Sequence, residues 1–212
     1  MIVLILFDMN DVLCRYDKAA RIAALARLSG RAPDAIEAAI WGSGFEDRGD
    51  AGELDAEAYL RGFGERIGHP LSRAEWTAAQ RAAITPMPEM LALAGRVGQA
   101  ARIAVLTNNS LLMLEQIDAV FPELRPVFGD AIHVSAEFRA RKPQPEAYRR
   151  CLRRLGADPA ETLFIDDGAA NVAGAEEAGL AGHRFVGAAE LAAALQRHGL
   201  LPTGAAPASR MV

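Results

Sequence analysis

Five short runs rich in apolar and β-branched residues, at 2–7, 103–106, 132–134, 163–165 and 184–186, alternate along most of the chain with helix-type patterns. That alternation predicts an α/β fold, a Rossmann-like doubly wound parallel sheet with helices on both faces, because parallel strands need long crossover connections. Leu111, Leu114, Ile117 and Val120 recur at helical spacing, as do Tyr148, Cys151, Leu152 and Leu155, and Gly156 and Gly179 supply helix stops. One interval breaks the rhythm. Nearly a hundred residues separate Asp8 from Ile103, far more than a single crossover helix requires. Within it, residues 17–29, 33–41, 55–67 and 72–84 carry helical periodicity, with Pro33 near one start and Ser72 as an N-cap. The expected organisation is a core at 1–14 and 86–200, a small helical-bundle cap at 15–85 that exits through Pro86 and Pro88, and a flexible tail at 201–212.

Composition narrows the partners. A hydrophobic share of 51% in 212 residues supports a substantial core, and a net charge of -4 argues against binding a nucleic-acid backbone. No run approaches the roughly 20 apolar residues of a membrane helix, so no membrane partner is expected. The apolar start has no basic leader and is interrupted by Asp8, so it reads as a strand and not as a signal peptide. Cys14 and Cys151 form neither a metal spacing nor a disulfide framework, which suits a reducing cytoplasm. His69, His133, His183 and His198 share no ligand spacing, and Trp41 and Trp76 read as bundle core. The expected partner is a small molecule, bound by a monomer or homodimer.

In an open parallel sheet, ligands bind beyond the carboxyl ends of the strands. Asp8, Thr107 with Asn108, Lys142, and the pair Asp166 and Asp167 all fall at or near those ends, and their chemistry suits phosphoryl transfer. A carboxylate such as Asp8 can attack phosphorus and split one hard displacement into two easier ones. Asp8, Asp166 and Asp167 could hold Mg²⁺, a hard cation that prefers oxygen, while Lys142 supplies fixed positive charge. The Thr107 hydroxyl and the backbone N–H groups near Ser110 would hold phosphate oxygens.

This set, in this order, resembles the haloacid dehalogenase-like hydrolase superfamily. The motifs are "LILFDMNDVL", "AVLTNNS", "RARKPQPEAY" and "LFIDDGAANVAGAEEAG", and they are closest to the phosphatase branch whose helical cap follows the first strand. The resemblance implies that Asp8 is the nucleophile of a Mg²⁺-dependent phosphatase and passes through an aspartyl phosphate. It implies that Thr107 and Lys142 bind the phosphoryl group, that Asp167 with Asp166 ligates the metal, and that Asn171 orients Lys142 or the metal-binding loop. The residue two after the nucleophile contributes a backbone carbonyl to the metal in this family, a role open to Asn10.

The Asn10 side chain departs from the pattern. Most phosphatases of the family carry an Asp there as the acid and base, and an amide cannot exchange protons at neutral pH. Losing that help should slow esters with poor leaving groups by about 10² to 10⁴. Asp11 is the nearest substitute, although its side chain should point elsewhere along the strand end. Two alternatives accompany the phosphatase reading: a weak or inactive phosphate-binding or interaction module, and a metal-free 2-haloacid dehalogenase, against which Asp166 and Asp167 count. Specificity is expected in the polar, glycine-flanked stretch at 42–55, where Phe45, Glu46, Asp47 and Arg48 could read the hydroxyl groups of a sugar phosphate.

Overall fold

The computed structural model describes residues 1–202, so positions 203–212 of the expected tail lie outside the described residues. The chain opens with β1 (Leu4–Phe7), β2 (Cys14–Tyr16), α1 (Lys18–Ser29), α2 (Pro33–Glu37), α3 (Phe45–Asp50), α4 (Ala56–Ile67), α5 (Arg73–Ala83) and β3 (Ile84–Pro86). It continues with α6 (Pro88–Val97), β4 (Arg102–Thr107), α7 (Leu111–Glu115), α8 (Ile117–Val120), α9 (Arg125–Phe128) and β5 (Ile132–Val134). It closes with α10 (Pro145–Leu155), β6 (Thr162–Asp166), α11 (Ala169–Glu177), β7 (Ala181–Arg184) and α12 (Ala188–Arg197).

The main sheet has the order β5-β4-β1-β6-β7, and its strand pairs are all parallel. Every residue of β1 is buried, as a strand covered on both faces requires. Alternation then divides its side chains. Ile5 and Phe7 join Val105 and Ile165 in one apolar cluster, while Leu4 and Leu6 join Ala104, Leu106 and Phe164 in a second, beneath Tyr148, Cys151 and Leu152 of α10. The last strand differs from expectation. It forms at Ala181–Arg184, where parallel pairing with β6 sets the register, and Phe185 and Val186 follow it.

The interval between β1 and β4 is an insert of helices entered and left through an antiparallel ribbon of β2 and β3. Its helices start as their sequences predict: Asp17 and Asp55 cap α1 and α4, and Ser72 with Glu75 forms a capping box on α5. The stretch 42–55 is not simply a loop, since α3 occupies its centre. The second expected helix, at 33–41, changes pitch partway, α2 passing into one wide helical turn at Ala38–Gly42. The periodicity through Leu111 and Val120 is likewise split into α7 and α8. The insert does not form a core of its own: Ile22, Leu25, Phe63 and Trp76 belong to the same apolar cluster as Ile5 and Phe7.

Candidate active site

The sheet order reverses at β1, which has β4 on one side and β6 on the other, so the crevice opens directly past its carboxyl end. Asp8 sits there, its N–H donated to the Ile165 carbonyl at 2.8 Å. Thr107 ends β4, and Asp166 ends β6. Lys142 comes from the loop before α10 and reaches inward, so that Nζ lies 2.7 Å from Asp8 Oδ1 and 2.6 Å from Asp166 Oδ2. Both contacts are short and charge-assisted, so the ammonium bridges the two buried carboxylates.

The loop is held in place from two sides. The Asn108 amide donates to the Lys142 carbonyl and accepts from the Lys142 N–H, both at 2.9 Å, so this strand-end side chain is spent on positioning the loop. On the other side α11 approaches so closely that a Cβ at Gly174 would stand 1.9 Å from the Pro143 carbonyl oxygen, which excludes any side chain there. Asn171, also on α11, donates to both oxygens of Asp166 at 3.0 and 3.1 Å, and Gly168 N–H adds 2.8 Å. Asp166 is therefore saturated by donors. The half-open carboxylate of the pair is Asp167.

Electrostatics follow from burial. Removal from water pushes Asp8 up to about 6, with Lys142 opposing the rise and Asp166 adding to it. Burial would lower the Lys142 ammonium, but Asp8 and Asp166 outweigh it and hold its pKa above the ordinary value. Asp167 is raised by burial and by Asp166 and Asp11. One carboxylate oxygen from each of Asp8, Asp166 and Asp167 lies within 4.8 Å of the others. Three acids against one ammonium leave an excess of negative charge, and the donors are all hard oxygens, so the set fits a divalent cation such as Mg²⁺.

Thr107 is buried, and its Oγ1 accepts from the Asn109 amide at 3.0 Å. Asn10 is half-buried; its Oδ1 lies 3.7 Å from the Cys14 thiol, which burial pushes well above the ordinary range. Asp11 adopts a left-handed backbone (φ 57°), is exposed, and accepts from Tyr16 N–H at 3.2 Å, turned toward the ribbon.

A cavity of 210 Å³ lies between the insert and the core. Asn10, Asn108, Asn109 and Arg141 line it from below, and Tyr16, Arg21, Trp41, Glu46, Asp47 and Asp50 from above. The expected specificity stretch thus reaches the cavity, but through different side chains. Phe45 is 3% exposed and stacks on Tyr59 in the insert's interior. Arg48 pairs with Glu53 at 2.9 Å, both half-exposed and away from the cavity lining. Glu46 does line it, yet one oxygen accepts from Arg21 Nη1 and the other from Tyr59 Oη, each at 2.6 Å. Trp76 is core as expected, whereas Trp41 turns one face to the cavity and Arg21. Arg21, Asp50 and Arg141 are not singled out by the sequence: Arg21 is a helix position with no motif around it, Asp50 lies within the expected specificity stretch 42–55 but is overshadowed by its neighbours, and Arg141 is masked by the adjacent Lys142.

Among the described residues no helix is long and apolar enough to cross a membrane. A sesquiterpene phosphatase from Aspergillus oryzae is 28% identical over 135 residues, 63% of this chain and 68% of that protein. A HAD family enzyme from Bacteroides thetaiotaomicron, solved with magnesium and inorganic phosphate, aligns with a TM-score of 0.73 at 23% identity over 87% of this chain and 94% of that one. L-2-haloacid dehalogenase from Xanthobacter autotrophicus, with chloropropionic acid covalently bound, aligns at 0.62 with 24% identity over 95% and 85%. These likenesses in fold agree with a sequence match that runs from residue 2 to residue 179, by which the chain belongs to the haloacid dehalogenase-like hydrolases.

Proposed function

We propose that this hydrolase is a Mg²⁺-dependent phosphatase that removes phosphate from a small, polar metabolite through an aspartyl phosphate on Asp8. The observation that carries the reading is the cluster at the carboxyl end of β1: a buried carboxylate, an ammonium 2.7 Å from it, and two further acids with an oxygen within 4.8 Å. Asp8, Asp167 and Asp166, with the Asn10 carbonyl, would hold the metal, which when bound offsets charge on the phosphoryl oxygens. Asp8 attacks phosphorus, Lys142 neutralises its charge, and the Thr107 hydroxyl steadies a phosphoryl oxygen.

The cavity argues for the size of the rest of the substrate. At 210 Å³ and with a mostly charged or amide lining, it falls below the roughly 300–1,000 Å³ typical of drug-sized ligands, and it suits a few polar heavy atoms better than a terpene chain. Asp166 and Asp167 likewise favour a metal-binding site over a metal-free 2-haloacid dehalogenase. The test is phosphate release from 4-nitrophenyl phosphate with Mg²⁺ and with chelator. The expected result is Mg²⁺-dependent turnover in wild type and its loss in Asp8→Asn, by at least about 10³-fold, as removal of a covalent nucleophile predicts. Wild type that binds phosphate but releases none would favour the phosphate-binding module instead.

A further inference from the structure

Resting on the phosphatase reading, we propose that Asp50 is the proton donor and acceptor of the reaction, a catalytic residue brought from the insert to fill the role that Asn10 cannot. Asp50 lines the same 210 Å³ cavity as Met9 and Asn10, the residues that follow Asp8, and a leaving group that extends from Asp8 past Asn10 would enter that cavity. It is 9% exposed, and among the described residues its carboxyl oxygens accept no hydrogen bond. Neither oxygen is among the fully buried polar atoms, so the carboxyl reaches the cavity it lines and is open to a partner on a bound molecule.

Its backbone is anchored to the core as well as to the insert. The Ser135 hydroxyl, just past β5, donates to the Asp50 carbonyl at 2.7 Å and accepts from Asn109 N–H at 3.1 Å. One residue before, a Cβ on Gly49 would press into the Tyr59 ring at 2.5 Å; two residues after, one on Gly52 would stand 2.2 Å from the Ala136 carbonyl oxygen. The end of α3 therefore fits against the loops that carry Asn109 and Ser135 with no room to slide. Asp11, the acid nearest in sequence, is exposed, bonded to Tyr16 and outside the cavity lining.

Burial favours a carboxyl that keeps its proton. Burial raises the Asp50 pKa well above the ordinary value; Glu46 and Asp47 on its own helix add to the rise, while Arg141 from the core and Arg21 from α1 oppose it. In the first step an Asp8 oxygen bonds to phosphorus as the phosphorus–oxygen ester bond breaks, and the Asp50 proton passes to the departing oxygen, giving an alcohol. In the second, the Asp50 carboxylate takes a proton from water as the water oxygen bonds to phosphorus and the bond between phosphorus and the Asp8 oxygen breaks, its electron pair returning to the Asp8 carboxylate. Inorganic phosphate leaves, and both carboxyl groups return to their starting states.

The test compares kcat/KM for 4-nitrophenyl phosphate and phenyl phosphate, since kcat/KM reports formation of the aspartyl phosphate and only the poorer leaving group needs a proton. Asp50→Asn should lose about 10²-fold or more on phenyl phosphate but only about fivefold on 4-nitrophenyl phosphate, and the alkaline fall in wild-type kcat/KM should vanish. Asn10→Asp added to Asp50→Asn should restore phenyl phosphate turnover, which also shows that the variant folds. Equal losses on both esters, an unchanged pH profile, or no rescue would overturn the role of Asp50 while leaving the phosphatase reading intact. A wild type inert toward both esters would overturn that reading and this one together.

Discussion

Lys142 in the core and Arg21 in the insert are each 2% exposed and each set among acids, yet their surroundings are arranged to opposite ends. Arg21 lies over the rings of Trp41, Phe63 and Trp76, and it donates to Glu46 and Tyr16, while Tyr59 takes the second Glu46 oxygen. Burial works against its charge, and Glu46 with the two tyrosines outweighs it, so the guanidinium stays ionised. The acid of this network is closed, each Glu46 oxygen met by a donor, while Arg21 Nη2 is left without a hydrogen-bond partner. Around Lys142 the network is left open: Asp8 meets the Lys142 ammonium at the floor of the crevice, and Asp167 beside it is exposed. The difference teaches how the same two ingredients, a buried cation and its acids, can either hold a structure together or keep a nucleophile ready. Satisfaction of the acid decides which.

Removing the cation should expose that difference. The largest effect is expected for Lys142→Met, which should depress phosphate release by at least about 10²- to 10³-fold, because fixed charge at the phosphoryl group is lost where water is excluded. A steady-state assay at saturating Mg²⁺ measures it, and retention of more than a tenth of the activity would remove Lys142 from the chemistry. Arg21→Met should act on stability first. It leaves Glu46 buried with no cation, a change of about 3–5 kcal/mol in urea unfolding, most of which should return when Glu46→Leu is added. Failure of the second substitution to recover stability would show that Arg21 does more than complete the network.

The smallest effect concerns Asp50. Its folded pKa is raised, so the stability its neutral form brings is complete below the unfolded value near 3.9 and is lost as pH rises through the folded one. Asp50→Asn should therefore raise Tm by about a few degrees at pH 8 and leave it nearly unchanged at pH 4. A loss of Tm at pH 8 would mean that the ionised carboxylate is held by Arg141 or Arg21, and the comparison would then place it with the closed network.

The core was readable from sequence because its chemistry is tied to strand ends. An apolar run buried on both faces must end in the crevice, so Asp8, Thr107 and Asp166 were placed by the same pattern that predicted the sheet. The insert resisted such reading. Arg21 stands in "KAARIAALARLS" like any solvated helix residue, and Phe45 looked polar by the company of Glu46, Asp47 and Arg48, although packing on Tyr59 draws it inside. Asn108 shows a further limit. Its place beside Thr107 suggested a phosphate ligand, but its two amide groups match the two peptide groups of Lys142, a pairing across 34 residues that no local pattern encodes. The register of β7 was missed for a related reason, since pairing with β6 overrides the apolar Phe185 and Val186.

The closeness of Gly174 to the Pro143 carbonyl gives the site an unusual kind of heredity. Glycine weakens the interior of a helix by roughly 0.5–1 kcal/mol relative to alanine, so α11 would gain as an isolated helix from the commonest single replacement. Yet that one added methyl would displace the segment bearing Lys142. Position 174 thus has to be inherited empty, its contribution to chemistry being the absence of an atom.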